Sequence, residues 1–287
     1  MALWIIYTLV GFGLVLAGLG WIIIYGSSRW NNKTSQIVAT LVHAALQSDI
    51  KKVSFKDVDK LPAPVGRYLR QVLKEGQPMI RSARVTQVGE FNIGKANDAW
   101  RPFKATQYFV SQPSGFVWDA SIQMAPLVAV RVRDAYIKGH GSMQAKILSL
   151  LSMVDEQAKA ELNAAALQRY LAEAMWFPTV FLPDEGVVWS AIDDSRALAT
   201  LTDSGTTVSL EFHFNNAGEL IKVFTPTRYR EVNGKYELTP WAGYVRHCEE
   251  RNGVRIPDVI DVEWQLPEGS SPYWKGRIID IDYNLSL

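Results

Sequence analysis

After residue 186 the chain is written in period two. Val208, Leu210, Phe212 and Phe214 alternate with Thr207, Ser209, Glu211 and His213. Ile260, Val262 and Trp264 alternate with Asp261, Glu263 and Gln265, and Ile279, Ile281, Tyr283 and Leu285 with Asp280, Asp282 and Asn284. Successive side chains of a strand point to opposite faces, so the pattern predicts strands with one buried and one wet face. Asn215-Asn216-Ala217-Gly218, Asn233-Gly234 and Asn252-Gly253 separate the runs with residues that tolerate tight turns. The same alternation appears earlier, in Phe116, Trp118, Ala120, Ile122 and Met124, and in Val128, Val130 and Val132 around Arg131 and Arg133. About ten consecutive strands joined by hairpins describe a meandering antiparallel sheet, which at that width must curl or close. The expected fold is therefore mainly β (α+β), a curved antiparallel sheet or half-barrel covered by a helical insertion.

The insertion is expected near residues 144–176. Helical spacing replaces alternation at Gln144–Met153 and through Asp155–Trp176, where Ala160, Ala164, Leu167, Leu171 and Ala174 form one stripe. Arg169 and Glu173 stand four apart beside it and can pair. Phe177-Pro178 and Leu182-Pro183 end the helix. Thr34 to Gln47 predicts a further helix. Another opens at Leu61-Pro62-Ala63-Pro64, with Arg67, Arg70 and Lys74 opposite its apolar stripe.

The N-terminal end has a different character. Leu3 to Tyr25 carries no charge over 23 residues, and about 20 apolar residues suffice to cross a bilayer. Trp4 and Tyr7 near one end, with Trp21, Tyr25 and Trp30 near the other, suit the two membrane surfaces. No basic residue precedes the run, and it exceeds the apolar length of a secretory signal. The expected division is a transmembrane anchor at 1–26, a juxtamembrane helical segment at 27–60 and the β domain at 61–287. Arg29 and Lys33 flank the run on its C-terminal side, which leans the domain toward the cytoplasmic face of a single-pass protein. Gly13, Ala17 and Gly20 share one helix face, a spacing that lets two copies pair as a homodimer.

Charge excludes some partners. Thirty basic against 29 acidic side chains, a net +1, give no field to collect nucleic acid. One cysteine, Cys248, allows no intramolecular disulfide and makes a zinc site unexpected; His43, His140, His213 and His247 show no ligand spacing. No phosphate loop, serine elbow or nucleotide fingerprint is present, so no metal or cofactor is expected. Asp119 and Asp134 interrupt apolar strands, and a hairpin could bring them to His140 as an acid–base cluster. The bland alternative for them is ion pairing with Arg131, Arg133 or Arg228. Glu173, Trp176 and Trp189 fall where the covering helix ends and the strands resume, a natural pocket mouth in a curved sheet. There a carboxylate among aromatics can orient the polar head of a ligand. Trp118 on its aromatic-rich strand is a further ligand-binding candidate.

Leu61-Pro-Ala-Pro-Val-Gly-Arg-Tyr-Leu69, Trp118-Asp119-Ala120, Glu173-Ala-Met-Trp-Phe-Pro178 and Pro272-Tyr273-Trp274 together resemble an uncharacterised bacterial family with an LPxPVxRYL opening. That resemblance implies a bacterial, membrane-anchored protein and names no site residues. The Arg251–Pro257 turn and the Ile278–Tyr283 strand look like the LolA/LolB lipoprotein-carrier fold, whose curved sheet wraps helices around a cavity for acyl chains. The function expected is binding of a lipid or another apolar or amphipathic ligand at the bacterial cytoplasmic membrane. Two alternatives stand beside it: a membrane-bound enzyme using Asp119, Asp134 and His140, and a scaffold that dimerises through its anchor.

Overall fold

The computed structural model describes residues 2–45, 51–94 and 99–285. Its framework is one antiparallel sheet of 13 strands: β1 (Ser82–Asn92), β2 (Trp100–Val110), β3 (Gly115–Ala125), β4 (Val128–Ile137), β5 (His140–Ile147), β6 (Leu151–Gln157), β7 (Val187–Asp193), β8 (Arg196–Asp203), β9 (Thr206–Phe214), β10 (Leu220–Val232), β11 (Lys235–Arg251), β12 (Val254–Leu266) and β13 (Gly269–Tyr283). The first six strands meander one way and the last seven the other. They join where β1 pairs with β13, so β6 and β7 are the two edges. Asn233, Gly234, Asn252 and Gly253 all take positive φ at their hairpin turns, as the sequence requires of them.

Between the edges the chain crosses the concave face as α4 (Ala160–Glu173), followed by two 3-10 turns, Ala174–Trp176 and Pro178–Phe181. Leu167, Tyr170 and Leu171 of α4 and Met175, Trp176, Phe177 and Phe181 after it are buried. Phe109 lies under them, with ring centroids 4.7 Å from Phe177, 6.0 Å from Trp176 and 6.3 Å from Phe116. Burying each such side chain contributes about 1.5–3 kcal/mol, and truncating Phe109 to alanine would cost about 3–5 kcal/mol. Polar ties fix the plug: Trp176 Nε1 donates to the Pro257 carbonyl at 2.9 Å, and the Tyr170 hydroxyl to that of Val110 at 3.0 Å.

Residues 144–157, expected to be helical, instead form most of β5 and β6, so the helical insertion starts only at Ala160. The reason is local. Leu148 and Ser149 take positive φ and turn the chain, while Leu151 and Met153 stand exposed on an edge strand. Apolar residues left on an edge blur period two into something helix-like.

The three remaining helices are α1 (Ala2–Ala45), α2 (Phe55–Val58) and α3 (Ala63–Val72). α3 takes the expected place after Leu61-Pro62, burying Val65, Tyr68, Leu69 and Val72. α1 runs unbroken for 44 residues, from the uncharged run across residue 26 into a charged segment. Its C-terminal part lies on the convex face, where Val38, Leu41 and Val42 pack on Val110, Val117 and Ala135. Trp30 Nε1 donates to Asp119 Oδ1 at 2.9 Å, and Arg133 Nη1 donates to Thr34 Oγ1 at 2.8 Å. Gly26 abuts Leu150 in the β5–β6 turn. Beyond that point Leu3, Trp4, Ile5, Trp21 and Tyr25 are among many exposed apolar side chains. Among the described residues no helix is long and apolar enough to cross a membrane. The side chains of residues 15, 16 and 19, inside the apolar run, lie outside the described set, as do residues 46 and 47 of the expected Thr34–Gln47 helix. Nothing lies within 4 Å of where a Cβ would stand on Gly13 or Gly20.

Candidate ligand-binding cavity

A cavity of about 330 Å³ lies between α4 and the concave face. Its wall is mostly apolar: Trp118, Ile122 and Val132 on one side, Val245, Ile260 and Val262 on the other, with Ala172, Met175 and Trp176 above. Phe91, Trp241, Trp264, Tyr273 and Trp274 complete it. These rings order one another, with Trp264 stacked on Tyr273 at 5.7 Å and Trp241 Nε1 donating to the Tyr273 hydroxyl at 2.9 Å. Such a volume is at the lower end of the roughly 300–1,000 Å³ typical of small-molecule sites.

Asp134, Arg169 and Glu173 of the wall belong to a chain of hydrogen bonds that continues behind it. Arg169 Nη1 donates to Asp134 Oδ2 at 2.5 Å, and its Nε to Glu173 Oε1 at 2.9 Å. Gln107 Nε2 donates to Glu173 Oε2 at 2.7 Å, Gln87 Nε2 to Gln107 Oε1 at 3.1 Å, and Trp118 Nε1 to Gln87 Oε1 at 2.9 Å. The guanidinium also lies over the rings of Trp118 at 4.9 Å and Phe116 at 5.1 Å. Burial works against its charge, but Glu173 and Asp134 more than offset this and hold Arg169 above the usual arginine range. Burial likewise pushes the Glu173 carboxyl up, against the pull of Arg169 and Gln107. Arg228 lines the same cavity from β10.

Strand register decides which expected residues meet here. β3 and β4 pair so that Trp118 opposes Asp134 and Asp119 opposes Arg133. Asp134 therefore shares the concave face with Trp118, while Asp119 is on the convex face under α1. There Asp119 accepts from Arg131 Nη2 at 3.0 Å on both oxygens. His140 is exposed at the β4–β5 hairpin. The structure does not bring Asp119, Asp134 and His140 together. Trp118, Glu173 and Trp176 do line the cavity; Trp189 does not, packing instead on Phe181 and Phe212 at 5.4 and 5.2 Å. The Arg169–Glu173 pair forms as the spacing predicts, but inside the fold and shared with Asp134. Sequence reasoning missed Arg228 as a wall residue, and Gln87 and Gln107 as the groups behind the wall that hold Trp118 and Glu173. The available signal was polarity at inward positions, as in Ala83-x-Val85-x-Gln87.

Other candidates are occupied or inert. The Asp282 carboxylate pairs with Arg84, and His247 Nδ1 meets Asp258 Oδ1 at 2.5 Å rather than the neighbouring thiol. Burial pushes the Cys248 thiol up to about 11. Among the described residues no three His, Cys, Asp or Glu side chains gather as metal ligands.

The sequence matches one family over residues 59–283, from just before the Leu61-Pro62 opening into the last strand. The chain belongs to DUF6920, a family of unknown function. No curated protein matches it. Among solved structures, this DUF6920 chain is similar to a LolA superfamily protein from Nitrosomonas europaea, with 11% identity, a TM-score of 0.43, and coverage of 82% of this chain and 96% of that one. It is also similar to a β-barrel-like protein of the DUF1849 family from Brucella abortus, with 6% identity, a TM-score of 0.22, and coverage of 72% and 99%.

Proposed function

We propose that this protein binds a lipid or another apolar or amphipathic ligand beneath α4, close to a bilayer. The observation that carries the reading is the cavity itself, about 330 Å³ of space among Trp, Val, Ile and Met side chains inside a 13-stranded sheet. An interior that served only as a core would be filled to the density of an organic crystal. Trp118, Glu173 and Trp176 would contact the ligand.

The bilayer half of the proposal rests on α1. Its docked segment passes Asp119 and leaves the domain beside Leu150, so the uncharged run projects beyond the β5–β6 turn. Leu151 and Met153 start the strand after that turn, and Leu127, in the β3–β4 turn, is 95% exposed. Exposed apolar side chains gathered beside an apolar helix suit an interfacial environment. In this reading residues 1–26 seat the chain in the cytoplasmic membrane, with Arg29 and Lys33 at its cytoplasmic surface.

Tryptophan quenching by bromododecane tests the cavity on the full chain in detergent. Ala172→Phe on α4 fills the space without altering the polar wall. The expected result is quenching in the wild type that the variant loses while keeping its circular dichroism spectrum. Equal quenching of both proteins would refute the assignment.

A further inference from the structure

Arg228 is 9% exposed and stands in the cavity wall with no hydrogen-bond acceptor for Nε or Nη1. Its guanidinium carbon rests 4.9 Å from the Trp241 ring and 5.9 Å from the Trp264 ring. The nearby charges are already committed. Arg169 takes both Asp134 and Glu173 within 2.9 Å, and among the described residues no carboxylate comes within ion-pair distance of Arg228. The Tyr273 hydroxyl accepts from Trp241. Leaving a charge buried without a partner is among the most destabilising arrangements in a fold. Burial accordingly pushes this guanidinium below the usual arginine range.

The backbone is built to keep Arg228 there. Thr225 pairs with Trp241 and Arg228 with Thr239, so two residues, Pro226 and Thr227, stand opposite the single Pro240. Such a bulge re-aims the side chain that follows it. Gln168 of α4 fixes the bulge by donating to the Thr227 carbonyl at 3.0 Å.

We propose that Arg228 receives the anionic head of a single-chain amphiphile, a carboxylate or a phosphate monoester, whose apolar part fills the cavity. This rests on the ligand-binding reading above and adds the class of head group. A guanidinium fork matches either anion with two parallel hydrogen bonds. The low-dielectric wall strengthens that pairing. One chain rather than two follows from a volume of about 330 Å³.

The test captures the full chain on scintillation beads in dodecyl maltoside with tritiated hexadecanol as tracer. Unlabelled palmitate, hexadecyl phosphate and hexadecanol then compete for the site. At least one anion should displace the tracer at concentrations about tenfold or more below the alcohol, the gain of a charge-assisted hydrogen bond. The tighter of the two anions identifies the head as carboxylate or phosphate. Arg228→Met should bring both anions to the level of the alcohol, the preference being read as the ratio of displacing concentrations within each protein. Arg228→Lys should keep part of the preference. Equal displacement by anion and alcohol in the wild type, or an Arg228→Met variant that still prefers anions, would overturn the proposal. Tracer that is not retained at all would instead overturn the cavity reading on which it rests.

Discussion

Removing Arg169 should unbalance the cavity wall more than any other single substitution there. Arg169→Met keeps most of the side-chain volume but leaves Asp134 and Glu173 facing each other. Their side chains are only 18% and 15% exposed, so solvent screens little of the loss. Taking the cation from a buried pair costs about 3–5 kcal/mol. For a domain of this size that lowers the melting temperature by roughly 10 °C. Differential scanning fluorimetry on the intrinsic tryptophans reads this directly. The penalty belongs to the orphaned carboxylates and not to the missing arginine. Adding Asp134→Leu and Glu173→Gln to Arg169→Met should recover most of the loss, the glutamine substitution keeping an oxygen for Gln107. A single variant that melts within about 2 °C of wild type would refute the buried-network account. So would a triple variant as unstable as the single.

Four further outcomes are expected. Burial raises the Glu173 carboxyl, so the stability it supports is full below the ordinary carboxylate range and declines as pH rises through the raised folded value; melts of wild type and Glu173→Gln from pH 4 to 8 should therefore diverge in favour of the variant, and divergence toward wild type would contradict the sign. A Cβ on Gly276 would stand 2.0 Å from the Trp274 ring, so Gly276→Ala should displace that indole into the cavity and weaken hexadecanol binding in the bead assay; unchanged binding would count against the wall as described. Asp119→Ala strands Trp30 Nε1 and Arg131, which costs about 1–3 kcal/mol, and should speed trypsin cleavage at Arg29 and Lys33 as α1 loosens; cleavage at the wild-type rate would remove Asp119 as the latch. With its thiol pushed up to about 11, Cys248 should react with iodoacetamide slowly at pH 8 and progressively faster toward pH 11; a fast reaction at pH 8 would refute the buried-thiol assignment.

Much of the sheet was legible because its strands have one buried face, and period two survives wherever that holds. Val208, Leu210, Phe212 and Phe214 are all buried, as their alternation predicts. Legibility failed on β6, an edge strand whose exposed Leu151 and Met153 carry no inward–outward contrast. The site was only half readable. Glu173 and Trp176 could be placed by the end of the helix, but Asp119 and Asp134 could be separated only by the β3–β4 register, which sequence does not state. Shifting that register by one residue would have put both carboxylates on one face. Arg228 was hidden for a different reason. The sequence offered Arg228 only as an ion-pair partner for Asp119 or Asp134, and the bulge and the overlying α4 turn it into the cavity instead.

Native mass spectrometry of the full chain released from detergent, followed by lipid extraction, tests the central claim most directly. The account predicts an amphiphile bound at about one per chain and lost in Ala172→Phe. A chain that emerges empty, and stays empty after incubation with palmitate, hexadecyl phosphate or hexadecanol, would contradict it.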